Sequence, residues 1–115
     1  MSEQEALKRR IRTSRLYELY GPLLTERQRR VYELRELDDL SLSELSNELS
    51  ISRQGVSDQL NRVRERLEEV ESLLGLLQRF DFVEKEAELI SRGENPQLHA
   101  RHIIEACRGR TMNDV

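Results

Sequence analysis

The segment SLSELSNELSISRQGVSDQL, residues 41–60, contains two short helical patterns with only two residues between them. Ser41 and Glu44 begin the first pattern as a capping box, in which each side chain accepts a hydrogen bond from the other residue's backbone N–H. Ser52 can cap the second helix through its hydroxyl. Ile51 at the corner is apolar, which favours its burial. Because a helix of two turns is unstable alone in water, the segment predicts two packed helices that meet at a tight corner.

Further helices are predicted before this segment. Residues 5–20 show a broad apolar face, and a Gly-Pro pair ends that helix. The next helix covers residues 25–37 and begins with a capping box of Thr25 and Gln28. Two short helices crossing over a third make a helix-turn-helix, so the sequence predicts an all-α fold with a three-helix core and an N-terminal helix. Tight corners of this kind also occur in helical proteins that never contact DNA.

A long helix follows the corner. From Val56 onward its apolar residues alternate at spacings of four and three, which is a heptad seam. At about 1.5 Å per residue, the end of the seam lies roughly 20 Å beyond Val63, outside an ordinary three-helix core. The chain can fold its own first helix or residues 80–90 across the seam, or a second copy can cover it. We favour a homodimer, since helix-turn-helix proteins commonly pair on a two-fold axis. The predicted dimerisation residues are Leu67, Val70, Leu74 and Leu77.

The predicted domain division follows from this seam. Residues 1–66 hold the N-terminal helix and the helix-turn-helix, and residues 67–115 form a helical extension with the dimerisation segment. Gly75 costs about 1 kcal/mol relative to Ala inside a helix, so a bend or break is expected from 75 to 81. A short helix is predicted at about 97–107, and the tail RGRTMNDV is expected to fray.

The outer face of the second helix of the motif is polar. A rotation of about 100° per residue places Gln54, Asp58, Asn61 and Glu65 there. Arg53 and Ser57 lie on one shoulder of this face, and Arg62 lies on the other. Gln and Asn can bind adenine, Arg can bind guanine or phosphate, and Ser can bind several base edges. The two acids favour the alternative of a solvated polar face. The predicted nucleic-acid-binding residues are Ser52, Arg53, Gln54, Ser57, Asn61 and Arg62.

The net charge of −3 argues against a nucleic-acid partner, but the charges are segregated. Residues 1–35 hold nine basic and five acidic side chains, which gives a local charge of +4. Seventeen of the nineteen basic residues are Arg, which suits bidentate contacts with phosphates and base edges. An Arg excess can equally reflect genomic base composition, so charge leaves both interpretations open.

Several classes of protein are not expected. No apolar run approaches the ~20 residues needed to span a bilayer, and no hydrophobic stretch follows the first basic residues as in a signal peptide. Cys107 is the single cysteine, so no internal disulfide can form, and we expect a cytoplasmic protein. No phosphate-binding loop or nucleophile motif indicates an enzyme or a cofactor. His99 and His102 can share a helix face, but Cys107 points away and no second pair of ligands is evident, so no metal site is expected.

The segments LYELYGPLLTERQ, LDDLSLSELSNELSISRQGVSDQLNRV and LLQRF, in this order, resemble the YlxM family of small bacterial proteins over roughly the first 80 residues. The SRQ-x-V element also resembles the last helix-turn-helix region of bacterial sigma factors. The resemblance implies an all-helical, usually dimeric DNA-binding protein with a regulatory role in the signal recognition particle pathway. The alternative is a helical adaptor that binds the particle's GTPases or RNA. Gly55 and Ser57 depart from the family pattern, in which Ala and Tyr are common, so a stacking aromatic is missing.

Overall fold

The computed structural model describes residues 1–109 and is all-helical, which confirms the predicted fold class. A 3₁₀ turn at Gly21–Leu23 joins the first two helices. The tail that was expected to fray lies outside the described residues from position 110 onward. The helices are α1 (Glu3–Tyr20), α2 (Glu26–Glu36), α3 (Leu42–Leu49), α4 (Arg53–Leu74), α5 (Leu76–Ser91) and α6 (Pro96–Cys107).

Both predicted capping boxes are confirmed. Thr25 Oγ1 accepts from the Gln28 backbone N–H at 3.1 Å, and Gln28 Oε1 accepts from the Thr25 N–H at 3.0 Å. Ser41 and Glu44 make the same pair of bonds at 3.1 and 3.0 Å. The hydrogen bond from the Ser41 backbone lowers the pKa of the Glu44 carboxyl. These local bonds begin α2 and α3 at the residues that the sequence predicts.

The corner between α3 and α4 closes without glycine. Ser50 ends α3 in the left-handed conformation, with φ 56° and ψ 42°, a backbone region that glycine usually occupies. Its N–H and that of Ile51 both reach the carbonyl oxygen of Ser46, and the Ser46 hydroxyl donates to the Ile51 carbonyl. Ile51 itself is half-buried. The doubled hydrogen bonding at Ser46 therefore stabilises a turn that would otherwise favour glycine.

Residues 1–74 form the first of two compact units, and α4 is its central element. Each of α1, α2 and α3 packs against α4. Burying one large apolar side chain stabilises a fold by about 1.5–3 kcal/mol. Because α3 is too short to be stable alone, its packing against α4 is what keeps it helical. The fully buried side chains are Leu16, Tyr20, Val31, Leu45, Val56, Val63 and Leu67.

The α1 helix covers the heptad seam within a single chain. Arg12 makes two hydrogen bonds to Glu68, at 2.6 and 2.9 Å. Two turns further along α1, Tyr20 donates to Glu71. Leu67 and Val70, which lie on the seam beside these contacts, are 0% and 5% exposed. For this stretch, the structure shows the fold-back arrangement that the sequence offered as the alternative to a partner chain.

The division between the two units falls at Gly75, which has φ +65° and ends α4 after Leu74. The predicted bend is therefore a break at a left-handed glycine. The sequence placed the boundary after residue 66. Residues 67–74 instead belong to the first unit, because α1 packs along them. In the second unit, α5 and α6 pack against each other as a hairpin. None of the helices within residues 1–109 has the length and apolar character needed to cross a bilayer.

Candidate nucleic-acid interface

The N-terminus of α4 presents the first predicted binding residues. Ser52 Oγ accepts from the Gly55 backbone N–H at 3.0 Å, so its oxygen serves as the helix cap. Arg53 and Gln54 follow in the first turn and are both exposed. Gln54 Nε2 donates to Asp58 Oδ1 at 2.9 Å, which gives this exposed carboxylate a partner one turn along the helix. The start of α4 therefore offers a guanidinium and a carboxamide to solvent at the position where groove-reading residues of this motif usually lie.

The predicted residues further along α4 differ in exposure. Asn61 and Arg62 are exposed, and Ser57 is half-buried. Asn61 Oδ1 accepts a hydrogen bond from Arg64 Nη2 at 2.9 Å, which links a predicted residue to one that the sequence pattern does not indicate. The residues of α4 that are predicted to bind nucleic acid are thus exposed, except for Ser57.

A basic cleft of about 390 Å³ lies beside this face, between α1, α2 and α4. Ser57 and Asn61 line it from α4, so the structure brings these two predicted residues together with a cluster of cations. Glu36 is the acidic residue of the lining. The basic residues of the lining are Arg9 and Arg10 from α1, Arg35 from α2 and Arg64 from α4. We call this cavity, together with its four arginine side chains, the arginine cleft.

The arginine cleft holds an excess of positive charge. Arg10 is paired with Glu36 at 2.7 Å, and this hydrogen bond raises the pKa of Arg10. Partial burial, followed by repulsion from Arg9, lowers the pKa of Arg64. Arg35 donates to the Leu40 carbonyl at 2.8 Å, which fixes its position without neutralising it. An anion in this cleft would relieve the repulsion between guanidinium groups, and phosphate is an anion that Arg binds through bidentate hydrogen bonds.

Sequence reasoning missed the arginine cleft although one signal pointed towards it. The local charge of +4 in residues 1–35 comes from α1 and α2, which supply three of the four arginines. The pattern of charge does not reveal that α1 packs against α4, and this packing is what brings those arginines beside Asn61.

The four predicted dimerisation residues also differ in exposure. Leu67, Val70 and Leu77 are buried, whereas Leu74 is 50% exposed. Leu73, beside it at the end of α4, is 75% exposed. Leu74 is therefore the predicted dimerisation residue that stays exposed in a single chain.

A separate cluster of polar side chains lies in the second unit. Glu86 on α5 contacts His99 and His102 on α6. The sequence pattern pairs the two histidines but does not reveal Glu86, which is more than ten residues away from them in the chain. Cys107, considered with them, is exposed and lies outside this cluster.

A family model described as "Putative helix-turn-helix protein, YlxM / p13 like", UPF0122, matches residues 7–108. The chain belongs to the UPF0122 family. Similar UPF0122 proteins occur in Bacillus thuringiensis (strain Al Hakam), Bacillus cereus (strain AH187) and Bacillus anthracis (strain A0248). Each is 39% identical over 104 residues, which cover 87% of this chain and 94% of the relative. The UPF0122 match continues through all of α5 and α6, beyond the first 80 residues that carry the resemblance in sequence. The UPF0122 description names a helix-turn-helix, a motif that suggests nucleic-acid binding.

Proposed function

We propose that this UPF0122 protein is a DNA-binding regulatory protein that inserts the N-terminal half of α4 into the major groove. The observation that carries the proposal is the position of the arginine cleft directly beside the exposed polar face of α4. In helix-turn-helix proteins the second helix of the motif reads base edges, while neighbouring elements contact the phosphate backbone. The exposed face and the cleft fit these two tasks.

The chemistry of each side chain suits it either to contacts with bases or to contacts with phosphates. The carboxamides of Gln54 and Asn61 match adenine, and the guanidinium of Arg53 matches guanine. Arg9 and Arg64 in the cleft, together with Arg62 on the other shoulder of α4, suit phosphate oxygens. Asp58 repels phosphate but can accept from the amino group of cytosine, so its place on this face favours contact with bases.

A regulatory role in the signal recognition particle pathway is the more specific part of this proposal, and the family resemblance alone supports it. Asp58 and Glu65 give a specific reason to keep a second candidate, because both are exposed acids on the face that would meet a polyanion. In that candidate the chain is a helical adaptor that binds the particle's GTPases or its RNA. An A-form major groove is too narrow to admit a helix, so the arginine cleft would carry RNA binding.

The test measures binding of labelled duplex DNA by fluorescence anisotropy across a series of salt concentrations. We expect affinity to fall with salt with a log–log slope of about −0.9 for each phosphate neutralised. Arg53→Ala should weaken binding, whereas Arg92→Ala, which removes an exposed Arg from the second unit, should not. Genomic fragments recovered with the protein and then sequenced would supply the preferred site.

Two outcomes would count against the DNA-binding proposal. The first is no binding to any duplex even at low ionic strength. The second is an Arg53→Ala variant that binds DNA as tightly as the parent while the purified particle or its RNA co-elutes with the protein. The second outcome would favour the adaptor.

A further inference from the structure

Three potential metal ligands converge between α5 and α6. His99 and His102 lie three residues apart on one face of α6, and both face Glu86 of α5. Glu86 Oε1 is 3.1 Å from His102 Nδ1, and Oε2 is hydrogen-bonded to His99 Nδ1. One donor atom from each residue lies within 4.8 Å of the other two. The sequence contains two histidines in all, and both are in this cluster.

The cluster is largely withdrawn from solvent. The side chains of Glu86, His99 and His102 are 12%, 16% and 20% exposed. The two imidazole rings meet edge to face with centroids 5.7 Å apart, and the ring of Phe82 lies 6.4 Å from that of His102. Burying a carboxylate is costly unless it is paired with groups that bind it strongly. A cation held by all three side chains would compensate that cost through direct bonds to the carboxylate.

We propose that Glu86, His99 and His102 bind a divalent transition-metal ion, with Zn²⁺ as the ion that best fits this ligand set. Two imidazole nitrogens and one carboxylate oxygen are ligands that zinc commonly takes in proteins. Bond lengths of about 2.0–2.2 Å in a tetrahedral site separate neighbouring ligand atoms by about 3.4 Å. Because the three donor atoms already lie within 4.8 Å of one another, shifts of at most about 1.4 Å would bring them to this spacing. Three protein ligands leave a fourth position for water.

The small size of the second unit gives such an ion a structural role. Among residues 75–109, the buried hydrophobic residues are Leu77 and Ala106, both 3% exposed. Helical units of this size have little apolar core and often depend on a metal or another cross-link. Because Glu86 lies on α5 and both histidines lie on α6, an ion here would join the two helices and add its binding free energy to the stability of the hairpin. This proposal is independent of DNA binding by the first unit.

The experiment uses the full chain, stripped of metal by a chelator and titrated with ZnCl₂ in a calorimeter. We expect saturation at one ion per chain and a higher melting temperature with Zn²⁺. Glu86→Gln, His99→Asn and His102→Asn should each weaken binding at least ten-fold. The Asn side chains keep a hydrogen-bond donor near the position of Nδ1, so these variants should retain the hairpin, which far-UV circular dichroism checks. Glu84→Gln removes the same charge from an exposed position on α5 and should bind Zn²⁺ like the parent.

A second measurement needs no variant. In the parent protein, one equivalent of Zn²⁺ should shift the imidazole ¹⁵N resonances of both histidines. Unchanged resonances would overturn the proposal, as would equal Zn²⁺ affinity in the parent and in the Glu86→Gln, His99→Asn and His102→Asn variants. DNA binding measured on the same samples should not depend on the ion, so failure here is distinguishable from failure of the proposed function.

Discussion

The hydroxyl of Tyr20 on α1 donates a hydrogen bond to the carboxylate of Glu71 on α4, with Oη and Oε1 2.5 Å apart and both residues buried. Arg12 holds Glu68 nearly one turn earlier on α4. These two contacts fix the register of α1 along the heptad seam. They also set the position of Arg9 in the arginine cleft, because it lies on the same helix.

Removing the Tyr20 hydroxyl should destabilise the first unit. Tyr20→Phe keeps the ring but takes one donor from a buried carboxylate, so we expect a loss of about 1–3 kcal/mol in the free energy of unfolding. Tyr17→Phe is the matched control, since its hydroxyl makes a 2.5 Å bond to the exposed Glu33. Urea unfolding followed by circular dichroism measures both variants. Equal losses in the two would show that burial of the Tyr20 bond has no special weight.

The contact between Arg12 and Glu68 should make stability depend on pH in acid. The hydrogen bond from Arg12 is the main cause that lowers the pKa of Glu68. A carboxyl whose pKa is lower in the folded state contributes stability above its unfolded pKa, about 4.3, and loses that contribution as pH falls further. Because the Glu68 side chain is 41% exposed, solvent screening limits the contribution to about 0.2–1 kcal/mol.

Arg12→Ala tests this contribution. At pH 7 the variant should unfold at lower urea concentration than the parent, and by pH 3 the difference should shrink. A difference that is the same at pH 7 and pH 3 would mean that Arg12 acts through packing of its aliphatic stem.

Tyr17 should resist ionisation at high pH. Burial, followed by its hydrogen bond to Glu33, raises the pKa of Tyr17 to about 12. The neutral phenol is therefore favoured in the folded state, and its contribution to stability is complete below pH 10 and is lost as pH rises towards 12. Absorbance of tyrosinate in the parent, compared with Tyr17→Phe, isolates this group. Titration of the difference signal at an ordinary tyrosine pKa would contradict the expectation.

The arginine cleft should contribute to affinity without contributing to sequence preference. In the proposed complex Arg64 contacts phosphate, so for Arg64→Ala we expect a uniform loss of affinity across DNA sequences and a salt slope smaller in magnitude by about 1. Asn61 is proposed to contact bases, so the affinity lost in Asn61→Ala should be largest for the preferred sequence. The opposite assignment, with Arg64→Ala changing sequence preference, would place the guanidinium against a base edge.

A substitution at Leu74 tests the predicted homodimer. Leu74→Glu charges an exposed seam position and should dissociate a dimer while leaving the fold intact. Val70→Glu instead places a charge at a site that is 5% exposed, so we expect it to unfold the first unit. Light scattering at micromolar protein gives the mass, and Leu37→Glu, at an exposed position on α2's C-terminal cap, is the control. A parent mass near 13.6 kDa would exclude the dimer under these conditions.

The parts of the fold that depend on near neighbours in the chain could be predicted from sequence. The capping boxes at Thr25 and Ser41 each join residues three positions apart, so the pattern of types was sufficient. Coverage of Leu67 and Val70 could not be predicted, because the same heptad seam can pack against α1 or against a second copy. The hydrophobic pattern is identical in the two cases.

The candidate sites follow the same distinction. Exposure of Arg53 and Gln54 follows from helical periodicity within α4. The proximity of Arg9 to Arg64 depends on tertiary packing across more than fifty residues of chain. Glu86 was missed for the same reason, since the folding of α6 back on α5 is what places it against His99 and His102.

The break at Gly75 divides the chain into two units that the ribosome synthesises one after the other. Translation proceeds from the N-terminus, and units that can fold separately tend to do so in that order. Residues 1–74 contain α1 to α4, including the arginine cleft and the bond between Tyr20 and Glu71. When the ribosome adds Gly75, every helix of the candidate nucleic-acid interface has therefore already been synthesised, whereas Glu86, His99 and His102 have not. Under the two proposals, a nascent chain stalled shortly after α4 has left the exit tunnel should bind DNA before it can bind the metal ion.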